Sequence, residues 1–135
     1  MNNLCRIPNL VLIVVFSCML TTCGLGCSGD YAHELPNGYK LVRTNANTIA
    51  VFAKGGGIPI PPKIIEYNIA DHYVYGSTIN SPDSELAYMS VSGYFVLDTV
   101  TGSKWLELSK AEFLDRLKSL EIIKDEKLPN LKRLR

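Results

Sequence analysis

Residues 94–120 have the sequence YFVLDTVTGSKWLELSKAEFLDRLKSL, in which two β-rich runs are followed directly by an amphipathic helix. The runs 94–98 and 104–108 are rich in aromatic, branched and leucine side chains, which favour strands. The residues between them include Gly102, which can adopt the positive φ that a tight turn requires. The stretch therefore predicts a β-hairpin followed by a helix.

The predicted helix has a marked start. Ser109 can cap its first turn, and Glu112 can reach back to the Ser109 main chain, which together make a capping box. Leu108 and Phe113 stand at the two positions of a hydrophobic staple. Apolar side chains then recur at helical spacing, at Phe113, Leu114, Leu117 and Leu120. We expect this stripe to be buried on one face of a sheet.

The residues upstream of the hairpin predict further strands separated by turn signals. These runs are 39–43, 48–53, 63–69, 72–75 (which Gly76 should end) and a short one at 88–91. Residues 78–85 hold Asn80, Pro82 and Asp83 and should form an exposed loop. We therefore expect an α+β domain over 31–123, a small antiparallel β-sheet of about five to six strands with one C-terminal helix packed on it.

Residues 1–22 have the pattern of an export signal. Arg6 is the only charged side chain before Asp30, and an apolar run from Ile7 to Leu20 follows it. As a helix this run of about 14 residues would span about 21 Å, short of the roughly 30 Å of a bilayer core. A cleaved signal peptide is therefore preferred over an uncleaved membrane anchor.

Residues 20–22, Leu-Thr-Thr, precede Cys23 and resemble a bacterial lipobox. The resemblance implies transfer of a diacylglyceryl group to the Cys23 sulfur, cleavage before this residue, and acylation of the new amine, for example by palmitate. Cys18 and Cys27 are alternative lipidation sites, since each follows a small residue. Two or more acyl chains at one end of a protein give stable membrane anchoring. Residues 23–30 would then form a flexible tether.

Cleavage at Cys23 would leave 13 basic and 13 acidic side chains, so the composition shows no bias toward nucleic acid. Basic residues concentrate in the tail, 124–135, for which we expect a frayed and solvated end, with an anionic membrane surface as the alternative. The four cysteines lie at or before Cys27. The folded domain is therefore expected to contain no disulfide and no zinc.

The candidate ligand-binding residues are few. His33 beside Glu34 and His72 beside Asp71 are expected to be surface or hydrogen-bonded histidines, and no metal, cofactor-binding or catalytic residue is assigned. The segment 55–62, GGGIPIPP, lacks the Lys-Ser/Thr pair of a phosphate loop. It is interpreted as a hinge and stiff connector, with a proline-rich docking segment as the alternative.

Seven tyrosines and Trp105 are many aromatic side chains for a small sheet. If several of them share an exposed face, the sheet would be a binding platform, whereas strand propensity and core filling give a plainer explanation. Tyr73 and Tyr75 should point to one face by their period of two, and Tyr67 could line up beside them.

Several segments of this sequence resemble a family of uncharacterised bacterial lipoproteins, domain of unknown function 3997. They are Gly29-Asp30-Tyr31 shortly after a lipid-type cysteine, LPNGYKLVR at 35–43, YFVLDT at 94–99 with Thr101-Gly102, and the helix start at Glu112-Phe113. The resemblance covers roughly 23–123 and implies a closing hairpin and helix. It brings no known activity, ligand or catalytic residue, and the extra Cys27 departs from its pattern.

These observations predict a lipid-anchored protein of the cell membrane or outer membrane, with its domain outside the cytoplasm. Gly24 after Cys23 is compatible with outer-membrane sorting, by resemblance to that sorting rule. The expected role is a non-enzymatic binding or interaction module with a protein partner at the cell envelope. The alternative is an immunity or inhibitor protein that acts there against a toxin or hydrolase.

Overall fold

The computed structural model describes residues 30–125 and 127–135. The strands and the helix are β1 Tyr31–Glu34, β2 Lys40–Asn45, β3 Thr48–Phe52, β4 Ile64–Ala70, β5 Tyr73–Thr78, β6 Gly93–Asp98, β7 Lys104–Leu108, α1 Lys110–Ser119 and β8 Lys132–Arg133. One antiparallel sheet has the order β1-β2-β3, and the other has the order β7-β6-β5-β4-β8. The expected α+β class is confirmed, although the strands are divided between two sheets instead of one.

The hairpin and the helix that follows it form as the sequence predicts. Strands β6 and β7 are antiparallel partners, and Gly102 in the turn has φ +74°. Ser109 N donates to Glu112 Oε2 at 2.8 Å, and Glu112 N donates to Ser109 Oγ at 3.3 Å, so the capping box is confirmed. The hydrogen bonds from Ser109 lower the pKa of Glu112.

The alternation of side chains along β6 explains why the molecule has two apolar layers. Phe95 and Leu97 are buried between the two sheets, in a core shared with Leu41 of β2 and Val51 of β3. Val96 points the other way, into the layer beneath α1. Because β6 is covered on both faces, its five-stranded sheet lies between the helix and the three-stranded sheet.

The connector between β3 and β4 folds back on the first sheet. Val51 N donates to the Ile60 carbonyl at 3.0 Å, and the Ile60 side chain is fully buried. Pro61 and Pro62 are also buried, so they are not available for the alternative of a proline-rich docking segment. This return of the chain explains why β4 starts a second sheet instead of extending the first.

The expectation of a frayed C-terminal end is wrong. Lys132 and Arg133 of β8 pair with Tyr67 and Glu66 of β4, and Leu134 N donates to the Ile65 carbonyl at 2.8 Å. The physical reason is the apolar packing of three leucines in the tail. Leu134 packs against the core between the two sheets, and Leu128 and Leu131 pack against the layer beneath α1.

Two further boundaries differ from the sequence prediction. Residues 88–91 do not form a strand, because a 3-10 turn occupies Ala87–Met89 and Ser84 Oγ accepts a hydrogen bond from Leu86 N. Strand β5 runs through Gly76, which was expected to end it. Among the described residues, no helix has the length and apolar character needed to cross a membrane.

Candidate functional site

The residues predicted to carry the lipid, Cys23 with the alternatives Cys18 and Cys27, lie outside the described part of the chain. The same holds for the signal peptide, 1–22, and for almost all of the tether, 23–30. The first described residue is Asp30, directly before β1. The candidate site therefore consists of residues within 30–125 and 127–135.

The turns of the fold lie at two opposite ends of its sheets. One end holds Tyr31, where β1 begins, and the β2–β3 turn, because Tyr31 pairs with Arg43 of β2. The loop 79–92 also lies at this end, since Ser81 Oγ donates to the Asn47 carbonyl at 3.0 Å. We call it the Tyr31 end.

The other end, which we call the tip, is formed by three turns: Pro36–Gly38, the β4–β5 turn with Asp71 and His72, and the β6–β7 turn over 98–103. Thr99 joins all three. Its Oγ1 accepts a hydrogen bond from Asn37 Nδ2 at 2.8 Å and donates one to the His72 carbonyl. Thr99 is buried, so these contacts fix the turns relative to one another.

Asp98 organises the β6–β7 turn within the tip. Its Oδ1 accepts hydrogen bonds from Val100 N at 2.9 Å and Thr101 N at 3.1 Å. Burial raises the pKa of Asp98, but hydrogen bonds from Thr101 and Val100 and the charge of His72 outweigh it, so the pKa lies below its usual value. The folded chain therefore favours the ionised carboxylate.

Replacing Asp98 by asparagine is expected to destabilise the fold by about 1–2 kcal/mol at pH 7, because the retained amide oxygen accepts only neutral hydrogen bonds. Since folding lowers the Asp98 pKa, its carboxylate stabilises the fold above the unfolded-state pKa. That contribution is lost as the pH falls through the folded-state pKa. The difference between wild type and Asp98→Asn should therefore shrink from pH 5 to pH 2, about the range that brackets the pKa of an unfolded aspartate.

Denaturant unfolding of both proteins across this pH range measures the effect. Asp83→Asn is the matched control, because Asp83 is exposed on the loop 79–92. A constant difference between wild type and Asp98→Asn at every pH would contradict the assigned role of the Asp98 charge.

The tip presents groups that suit recognition. Val100 is 66% exposed at the apex of its turn, although its main chain is held by Asp98. Beside the turn, His72 Nδ1 lies 2.6 Å from Asp71 Oδ2, and His72 Nε2 lies 3.8 Å from Asp98 Oδ1. A fixed frame that carries an apolar side chain, an exposed carboxylate and an imidazole can bind a partner with little loss of conformational entropy.

The fold does not bring His33 and His72 together. His33 lies on β1 of the three-stranded sheet, with its ring 4.8 Å from that of Tyr31, whereas His72 lies in a turn of the other sheet. Within residues 30–125 and 127–135, no group of three or more His, Cys, Asp or Glu side chains could hold a metal ion.

The predicted alignment of Tyr67 with Tyr73 and Tyr75 is wrong. Tyr67 packs between the two sheets, whereas Tyr73 and Tyr75 belong to the layer beneath α1. The register explains this result, since Tyr67 lies opposite Gly76 and not opposite Tyr75. Tyr67 and Tyr75 are buried, so they belong to the core and do not form an exposed aromatic platform.

A groove of 810 Å³ runs beside β4, between Glu66 and the segment that leads to β8. Charged side chains of both signs line it, including Lys124, Asp125 and Lys127, together with Leu128. The described lining includes two lysines and two carboxylates, so its charge favours neither an anionic nor a cationic ligand.

The sequence interpretation singled out Asp71 and His72 but missed Asn37, Thr99 and Val100 as parts of the same site. Their only local signal was turn chemistry, the Pro-Asn-Gly of 36–38 and the Thr-Gly of 101–102. The contact between Asn37 and Thr99 joins residues 62 positions apart, which no local pattern encodes.

Comparison with known families gives a match over most of the chain. The family described as "Protein of unknown function (DUF3997)" matches this chain over residues 36–132, a range that includes all three turns of the tip. No curated protein and no solved structure matches this chain.

Proposed function

The chain belongs to the DUF3997 family of proteins of unknown function, and from that premise we propose that it is a membrane-anchored lipoprotein whose domain is a non-enzymatic binding module at the bacterial cell envelope. The anchor rests on the signal pattern of 1–22 and on the lipobox resemblance before Cys23. The domain would be outside the cytoplasm, on the cell membrane or the outer membrane.

The observation that carries the binding role is the position of the tip relative to the tether. The tether would join the domain at Tyr31, whereas the tip, with Asn37, Thr99 and Val100, lies at the opposite end of the sheets. A lipid on Cys23 would therefore hold the Tyr31 end near the membrane and present the tip to the envelope. The buried contacts of Thr99 keep this presented surface preorganised for a protein partner.

Site-specific photo-crosslinking in the native bacterial host tests the binding role. A photoreactive amino acid in place of Val100 should give a discrete crosslinked species of higher mass, because Val100 lies at the apex of the tip. The same amino acid in place of Asp115, on the exposed side of α1, is the control and should give no such species.

A second variant tests whether the crosslink depends on the hydrogen bonds that hold the three turns of the tip together. Asn37→Ala removes the hydrogen bond from Asn37 Nδ2 to Thr99 and should reduce the crosslink yield at Val100. Equal crosslinking at Val100 and Asp115, or none at Val100, would contradict a binding role for the tip.

A further inference from the structure

The C-terminal strand β8 runs toward the end of the molecule where the tether would meet the domain. Lys132 pairs with Tyr67 in the middle of β4, Arg133 pairs with Glu66, and Arg135 reaches Arg43 at the Tyr31 end. We propose that these basic side chains bind the anionic phospholipid headgroups of the membrane that holds the anchor, an inference that rests on the proposed lipid anchor. The basic edge, as we call it, consists of Arg43, Lys132, Arg133 and Arg135. It would set the orientation of the domain, since the acyl chains alone provide the attachment.

The basic edge is held together by contacts from two sheets. Arg43 of β2 lies opposite Tyr31 in the register of the first sheet, and its guanidinium carbon is 5.8 Å from the centre of the Tyr31 ring. Arg43 Nη1 also donates to the Arg135 carbonyl at 3.0 Å. The last residue of this sequence therefore lies beside the start of β1.

The remaining basic side chains of this edge point to solvent. Lys132 and Arg133 are exposed because β8 is the outermost strand of its sheet, and Arg135 is exposed as well. Among the described residues, none of these three side chains forms an ion pair. Their charges are therefore available to an external anion.

The tether would keep this edge close to the membrane. The tether expected from the sequence places residues 24–30 between Cys23 and Tyr31. A glycine-rich coil of this length would have a root-mean-square span of about 15 Å and a maximum of about 25 Å. Electrostatic attraction between exposed charges acts over about 8 Å at physiological ionic strength. The basic edge thus samples the range in which anionic headgroups attract it.

Nearby acidic residues are repelled by anionic headgroups and therefore determine which part of the Tyr31 end faces the lipid. Asp30 precedes β1 and Glu66 lies opposite Arg133, so two carboxylates stand against the four basic side chains of the edge. Asp83 and Glu85 are exposed on the loop 79–92 at the same end of the molecule. The attraction is therefore confined to the β8 side, and the loop is turned away from the headgroups.

Lysine labelling of the lipidated full chain tests this orientation. The protein is extracted from bacterial membranes, and mass spectrometry of its N-terminal peptide establishes lipidation. The lipidated protein is then placed in vesicles of phosphatidylcholine with or without phosphatidylglycerol. Acetylation of Lys132 should slow about fivefold in the phosphatidylglycerol vesicles alone, the ratio expected for one basic side chain at an anionic surface. Lys40, at the opposite end of β2, should be labelled equally in both.

Charge-removing variants provide the matched comparison. Arg133→Ala with Arg135→Ala should abolish the protection of Lys132, whereas Lys104→Ala with Lys110→Ala, which removes the same charge elsewhere, should retain it. Salt at about 1 M, where the screening length is about 3 Å, should also remove the protection.

The outcomes separate this inference from the proposed function. A lipidated N-terminus with equal Lys132 labelling in the two vesicles overturns the headgroup contact and leaves the anchor intact. Protection that requires native membranes and is absent from protein-free vesicles assigns the edge to another partner and also overturns it. An N-terminus without lipid removes the anchor, and the inference falls with it.

Discussion

Replacing Gly76 by alanine is expected to lower the free energy of unfolding by about 3 kcal/mol, at the upper end of the usual cost of overpacking. A Cβ atom at Gly76 would lie 2.0 Å from the Glu66 carbonyl oxygen and 2.8 Å from Tyr67 Cα. Both neighbours are main-chain atoms of β4, so no side chain can move aside to make room. The variant must therefore separate β4 from β5 in the centre of the five-stranded sheet.

Gly55→Ala is the matched control for this substitution. No atom lies within 4 Å of a Cβ built at Gly55, which is exposed in the β3–β4 connector. Its stability should stay within about 0.5 kcal/mol of wild type, as is usual for surface substitutions. Denaturant unfolding of the purified full chain measures both variants. A Gly76→Ala protein as stable as Gly55→Ala would contradict the close pairing of β4 with β5.

Phe113→Ala is expected to cost about 3–5 kcal/mol, the range for truncating a fully buried phenylalanine. Phe113 is 0% exposed, and its ring stacks on that of Tyr94 at a centroid distance of 4.6 Å. The ring of Tyr75 lies 6.2 Å away on the same face. The substitution removes the side chain that joins α1 to the sheet, and the rigid strands below cannot collapse into the cavity.

Tyr88→Ala is the corresponding aromatic truncation on the surface, because Tyr88 is 82% exposed. Its free energy of unfolding, measured without membranes, should stay within about 0.5 kcal/mol of wild type. If Phe113→Ala and Tyr88→Ala destabilise the chain equally, the packing of α1 on the sheet would be contradicted.

The hairpin and helix were predictable because their signals are local. Ser109 and Glu112, which form the capping box, are three residues apart. Gly102 itself adopts the positive φ that the β6–β7 turn requires. Each of these interactions forms between residues near in sequence, so the sequence pattern contains all that determines it.

Gly76 shows why other features were not predictable. In sequence it resembles a strand terminator, yet β5 continues through it, because the main chain of β4 passes too close for any side chain. Long-range packing at a neighbouring strand therefore overrides the local preference of glycine. The pairing of β8 with Glu66 and Tyr67 is likewise a long-range contact that overrides a local signal. The turn signal at Pro129 had favoured a frayed end.

The candidate site was predictable only in part for the same reason. Asp71 and His72 are adjacent in sequence, and their 2.6 Å contact follows from that. Asn37 and Thr99 meet only because two sheets stack and bring their turns to one end. A hydrogen bond across two sheets requires knowledge of the topology, which the strand pattern leaves open.

The mass of the N-terminal peptide tests the central claim most directly, because both the presentation of the tip and the contact of the basic edge depend on the anchor. The full chain is produced in a bacterial host, extracted from membranes and compared with Cys23→Ala, using Cys27→Ala as the control. We predict a diacylglyceryl-modified peptide that starts at Cys23, is lost in Cys23→Ala and persists in Cys27→Ala. An unmodified N-terminus, or a soluble product cleaved elsewhere, would contradict the account.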